Sequence, residues 1–144
     1  MINYLTLKVI LTLLFIGTVF GDALDFGDKT ITAILEKRFT SPITTHELLG
    51  YNFYEDKNET IFQIEILADI DDINDAILFS FRSISIIADI SKTHFTHSVV
   101  VIHFINKSNP IIAKTDLDCS KEYFLELKKT ESQWRNSCLS IQID

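Results

Sequence analysis

The segment 97–105, HSVVVIHFI, constrains this chain most. It is dominated by β-branched and aromatic residues, which favour a pleated, extended backbone. In a strand, alternate side chains point to opposite faces. Ser98, Val100, Ile102 and Phe104 then share one face, while His97, Val99, Val101, His103 and Ile105 share the other. Both faces are apolar at their centre. A strand of this kind belongs inside a sheet, and each of its faces asks for cover.

The other elements arrange themselves around it. Segment 61–68 alternates Phe62, Ile64, Ile66 and Ala68 with Gln63 and Glu65, the pattern of one buried and one wetter face. Segment 46–54 reads as its hairpin partner across the turn EDKNE, and 111–117 as a strand after a turn at Lys107-Ser108-Asn109-Pro110. A last alternating strand covers 139–143. Ile31, Ile34 and Leu35 lie at helical spacing, with Lys37 and Arg38 in the closing turn where cations suit the helix dipole. Ile73, Ile77, Phe81, Ile84 and Ala88 form a second helical stripe behind the acidic DIDDIND start, although the Ser and Ile content there leaves a strand as the alternative. A short helix is expected over 120–127, capped by Asp118 or Ser120, followed by a polar turn. The order α-β-β-α-β-β-α-β predicts an α+β fold: an antiparallel sheet of four to five strands with helices mainly on one face.

The N-terminus bears on where such a domain resides. Residues 9–20 (VILTLLFIGTVF) are an uncharged apolar run of 12 residues behind a short segment with one basic side chain, Lys8. That is the length of a signal-peptide core and falls short of the roughly 20 residues that span a bilayer. Small residues near Gly21 and Ala23 place cleavage there, so the mature chain should begin at Asp22 or Leu24. We read 1–21 as a signal peptide and 22–144 as a single α+β domain with no membrane span; Leu5 and Leu7 could lengthen the run into an uncleaved anchor. The expected localisation is secreted or otherwise extracytoplasmic.

In that setting Cys119 and Cys138 should form a disulfide; two free thiols or half a metal site are the alternatives. Two sequons, Asn58-Glu59-Thr60 and Asn106-Lys107-Ser108, fall in expected turns and are candidate glycosylation sites at Asn58 and Asn106. Losing Lys8 with the leader takes the 13 basic residues to 12 against 20 acidic, a net charge of −8. An acidic chain without a basic patch is not expected to bind nucleic acid.

Catalytic and metal patterns are weak. The carboxylates Asp69, Asp71, Asp72 and Asp75 miss the EF-hand pattern at the fifth, sixth and twelfth positions and read as a helix start. His97 and His103 share a strand face but stand about 20 Å apart at about 3.3 Å per residue, too far to share a metal. No G-x-S-x-G elbow or glycine-rich phosphate loop is present. No catalytic residue, cofactor or metal is assigned. The expected function is an exported, non-catalytic binding, accessory or structural domain acting through a protein or cell-surface partner. A small secreted hydrolase using a His with an Asp or Glu, and a small-ligand carrier or sensor, are the alternatives. The candidate interface, for a homodimer or another protein, is Val99, Val101, His103 and Ile105. Charging its histidines in an apolar contact should weaken association near pH 6.

Overall fold

The computed structural model describes residues 27–40 and 46–143. Residues 1–21, read above as a signal peptide, lie outside the described residues. The chain forms α1 (Gly27–Thr40), β1 (Glu47–Asp56), β2 (Glu59–Ala68), a 3-10 turn (Ile70–Asp72), α2 (Ile73–Ile90), β3 (His97–Phe104), β4 (Lys107–Asp116), α3 (Leu117–Phe124), α4 (Glu131–Ser137) and β5 (Leu139–Ile143). This is an α+β fold on one five-stranded sheet in the order β1-β2-β3-β4-β5.

The sheet is mixed, which corrects the antiparallel expectation. β1–β2, β3–β4 and β4–β5 are antiparallel, but β2 and β3 run parallel, with Ile61 opposite His97 and Ala68 opposite Phe104. The reason is the length of α2. Eighteen residues at 1.5 Å per residue cover about 27 Å, close to the length of a β-strand of this size. The helix therefore carries the chain back to the end where β2 began, and β3 starts there in the same direction.

Three boundaries also differ from expectation. Segment 131–137, read as a polar turn, is the helix α4. Thr130 caps it, accepting from Gln133 N while the Gln133 side chain accepts from Thr130 N, a full capping box. Helix α3 begins at Leu117 with Asp116 as its cap, accepting from Cys119 N at 3.0 Å. Strand β4 begins at Lys107, so the turn is Ile105-Asn106. Pro110 is accommodated because the ladder is irregular between Ile102 and Phe104, and β5 pairing starts only at Ile111.

The helices cover one face of the sheet. Phe62, Ile64, Ile66, Ala68, Val100, Ile102, Phe104 and Ala113 pack there against Ile31, Leu35 and Phe39 of α1 and Ala76, Ile77, Phe81, Ile84 and Ile87 of α2 in one hydrophobic cluster. Burying each large apolar side chain there contributes about 1.5–3 kcal/mol. Phe53, Phe62 and Phe95 meet at centroid distances of 4.7–5.4 Å. Trp134 meets Phe81, Tyr123 and Phe124 at 5.7, 5.6 and 5.0 Å.

Trp134 is fully buried, so its indole N–H needs an acceptor. It donates to Ser120 Oγ at 3.0 Å; Ser120 donates to Thr115 Oγ1 at 2.9 Å, and Thr115 meets Ser98 Oγ at 2.7 Å. This chain of buried hydroxyls ties α4 and α3 to β4 and β3. The disulfide Cys119–Cys138, with Cα atoms 5.7 Å apart, joins the same two helices at their rim.

Candidate functional site: the open face of the sheet

The second face of the sheet is built by the alternation that builds the core. Register sets its rows: Tyr54, Ile61, His97 and Asp116, then Asn52, Gln63, Val99 and Lys114, then Gly50, Glu65, Val101 and Ile112. Ile61 and Val99 are only 3% and 7% exposed, yet neither belongs to the core cluster under the helices. Their register neighbours are long polar side chains, which shield them by lying along the sheet.

Two histidine–glutamate contacts, set at the same register offset, bracket the valines. His103 Nε2 lies 3.1 Å from Glu65 and His97 Nε2 lies 3.6 Å from Glu59, each across the β2–β3 joint. In both cases the glutamate sits two residues before the histidine's register partner, Ile61 for His97 and Leu67 for His103. Lys114 donates to the other Glu59 oxygen, and that hydrogen bond holds the Glu59 carboxyl below the usual carboxylate range, helped by the His97 charge. Tyr54 donates its hydroxyl to Gln63 at 2.8 Å, and burial pushes its phenol up, followed in effect by Asp56.

His97 is the most connected polar group on this face. Asp116 lies 4.0 Å from its Nε2, and Thr96 Oγ1 lies 2.9 Å from its Nδ1. Thr96 is also a junction for the backbone. Its hydroxyl accepts from Thr60 N at 2.9 Å, its N–H reaches Thr60 O, and its carbonyl accepts from Leu117 N. An imidazole with a hydroxyl on one nitrogen and carboxylates on the other has the connectivity of a general base. The hydroxyl concerned, however, is already engaged in fastening β2 to β3.

The candidate interface residues separate. Val99, Val101 and His103 share the open face. Ile105 leaves it: β3 ends at Phe104, and Ile105 stands in the turn, 67% exposed. There it lines a recess of 270 Å³ with Asp69, Ile70, Phe104 and Asn106. The candidate glycosylation residues are both exposed in two-residue turns. Asn58 and Lys57 have φ of 66° and 47°, the positive pair that a tight hairpin favours. Because β2 and β3 are parallel, Asn58 and Asn106 lie at opposite ends of the sheet.

The acidic segment opens the crossover helix. Asp69 caps the 3-10 turn, accepting from Asp71 N at 3.3 Å, and Asp75 lies in the first turn of α2. Among the described residues no group of three or more His, Cys, Asp or Glu side chains is arranged to hold a metal ion. Nor is any described helix long and apolar enough to cross a membrane.

Sequence reasoning had found His97 and His103 but missed Glu59, Glu65, Thr96, Lys114 and Tyr54 as their neighbours. The signal was available for two of them: Glu59 and Glu65 are six residues apart on β2, as the histidines are on β3. No family model, curated protein or solved structure matches this chain.

Proposed function

We propose that the protein is an exported, non-catalytic binding domain that receives a protein partner, or a second copy of itself, on the open face of its sheet. The observation that carries this reading is the apolar centre of that face, Ile61, Val99, Val101 and Ile112, which lies outside the hydrophobic cluster under the helices and is screened by the polar side chains of neighbouring strands. Apolar side chains screened by a single layer of polar ones become a docking surface when a partner displaces that layer. The 12-residue apolar leader segment and the disulfide support export. Glycans at Asn58 and Asn106 would stand at the two ends of the sheet and leave its middle open.

The test is a Val101→Glu variant. Tagged wild-type protein should recover a partner from its native medium, or self-associate in sedimentation. Val101→Glu should do neither while keeping the wild-type near-UV circular dichroism. A folded Val101→Glu protein with unchanged association would reject this face.

A second reading, a small secreted hydrolase, has one favouring observation: Thr96, His97, Glu59 and Asp116 converge as hydroxyl, imidazole and carboxylates. It requires ester or amide hydrolysis that His97→Ala abolishes and Val101→Glu leaves intact.

A further inference from the structure

The parallel joint of β2 and β3 ends with Ala68 opposite Phe104. Beyond it the two chains leave the sheet as Asp69-Ile70 and Ile105-Asn106, and these four residues with Phe104 line the recess of 270 Å³. Its walls are mostly apolar: Phe104 belongs to the core cluster, while Ile70 and Ile105 are 48% and 67% exposed. A group that covered those isoleucines would gain their burial. Asp69 adds a carboxylate, which can accept up to about four hydrogen bonds and spends one on Asp71 N. Pockets for drug-sized ligands run to roughly 300–1,000 Å³, so this recess suits a single ring.

The remaining residue of the lining, Asn106, opens the sequon Asn106-Lys107-Ser108. A sugar joined to its side-chain nitrogen starts at the wall of the recess, so a covalent tether and not diffusion sets its local concentration. The first sugar of such a glycan, N-acetylglucosamine, has the matching chemistry. Axial C–H bonds make one side of its ring apolar, which suits Ile70, Phe104 and Ile105. Its acetamido N–H and ring hydroxyls are donors for Asp69. The other sequon lacks this setting: Asn58 is flanked by Asp56, Lys57 and Glu59, charged residues on both sides of a tight turn.

We propose that Asn106 is glycosylated and that its first N-acetylglucosamine seats in the recess of Asp69, Ile70, Phe104 and Ile105, sealing the end of the β2–β3 joint. The transfer is that of the eukaryotic secretory pathway. The Asn106 carboxamide nitrogen bonds to the anomeric carbon of a lipid-pyrophosphate-linked oligosaccharide and loses one N–H proton, and the lipid pyrophosphate leaves. The proposal rests on the export reading, because only exported chains meet that transferase. It is independent of whether the open sheet face binds a partner. A glycan on Asn58 stands in solvent and adds nothing to the fold.

The two sequons control for each other. The full chain is expressed with its own leader in a eukaryotic cell restricted to high-mannose glycans, and the secreted protein is trimmed by endoglycosidase H to one N-acetylglucosamine per occupied site. Mass spectrometry should find Asn106 occupied. The trimmed wild type should melt about 4 °C above Asn106→Gln, and Asn58→Gln should melt with the wild type. Made without glycans in a bacterial periplasm, wild type and Asn106→Gln should melt together, which assigns the difference to the sugar. Ile70→Ser, at an exposed position, should erase the sugar's increment, and nuclear Overhauser contacts should join the sugar ring protons to Ile70 and Phe104. Secreted protein with a bare Asn106, an occupied Asn106 with no increment, or an increment that Ile70→Ser leaves intact would overturn the proposal alone. A chain retained in the cell with Met1 intact would overturn the export reading and this proposal with it.

Discussion

Ile61 and Phe62 are neighbours on β2, and both are buried, at 3% and 0% exposure. They are buried by different means. Phe62 stands under the helices, ring to ring with Phe53 and Phe95, inside the common hydrophobic cluster. Ile61 points the other way and is shielded by its flanking neighbours Tyr54 and His97 in the same row of the sheet. Solvent exposure alone does not separate the two. What separates them is the second layer: one face is closed by packed elements, the other by a single sheet of side chains that can move aside for a partner.

If that distinction holds, the faces must respond differently to the same kind of damage. The largest effect should come from Trp134→Ala, which empties the aromatic cluster and removes the donor to Ser120. A loss of about 3–5 kcal/mol is expected, measured by urea unfolding. Ile61→Ala on the open face should cost about 1–2 kcal/mol, because its neighbours can close over the gap. Equal losses at the two positions would erase the comparison. Between these two in size is the rim of the helical layer. Replacing Cys119 and Cys138 by serine opens a loop whose ends are 19 residues apart, and should lower stability by about 3 kcal/mol in the chain-entropy account. Binding at the open face should survive it below the new unfolding midpoint.

The smallest effect separates the faces by pH. His46, packed 6.1 Å from Phe79 on the helical side, is pushed below the ordinary histidine value of 6.5 by burial, with Asp72 and Asp75 opposing. The folded state resists this proton, so the unfolded chain binds more protons as pH falls through 6.5. The associated stability is full above 6.5 and declines below it. Glu59 on the open face is held below its ordinary 4.5 by the Lys114 hydrogen bond. Its contribution is present above 4.5 and is lost only as pH falls further, through the folded value. Urea midpoints measured from pH 7 to pH 3 should therefore fall in two windows. His46→Phe should flatten the upper and Glu59→Gln the lower; a variant that flattens the other window would contradict the assignment.

Local pattern made much of this fold readable. The alternation in β2 gave its buried face correctly, and the two apolar sides of β3 correctly separated the helix-covered Val100 and Ile102 from Val99 and Val101. The stripe Ile73, Ile77, Phe81, Ile84 and Ala88 placed α2 as a helix. The parallel joint was harder to read, because strand direction depends on where a crossover returns the chain, a property of helix length and not of residue type. Helix α4 was hidden because Trp134 is its only buried residue, and one apolar residue makes no period. Its Thr130–Gln133 box was the usable signal. The partners of His97 come from β2, β4 and the loop before β3, so only register could bring them together.

The parallel joint also decides how the molecule must assemble. Each of the other joints connects strands that follow one another without an intervening crossover over the sheet, and the β1–β2 and β3–β4 hairpins can zip from their turns. The β2–β3 seam cannot form until the chain has crossed back through α2, which makes it a long-range closure that costs chain entropy. At such a seam a slip of one residue would turn Val100 and Ile102 out of the core. A slip of two would preserve that alternation and cost the hydrophobic pattern far less. In the direction that sets His97 against Gln63 it would, however, part both histidines from their glutamates, so Glu59–His97 and Glu65–His103 act as index marks against that slip, whereas the opposite slip would bring each histidine directly across from its glutamate.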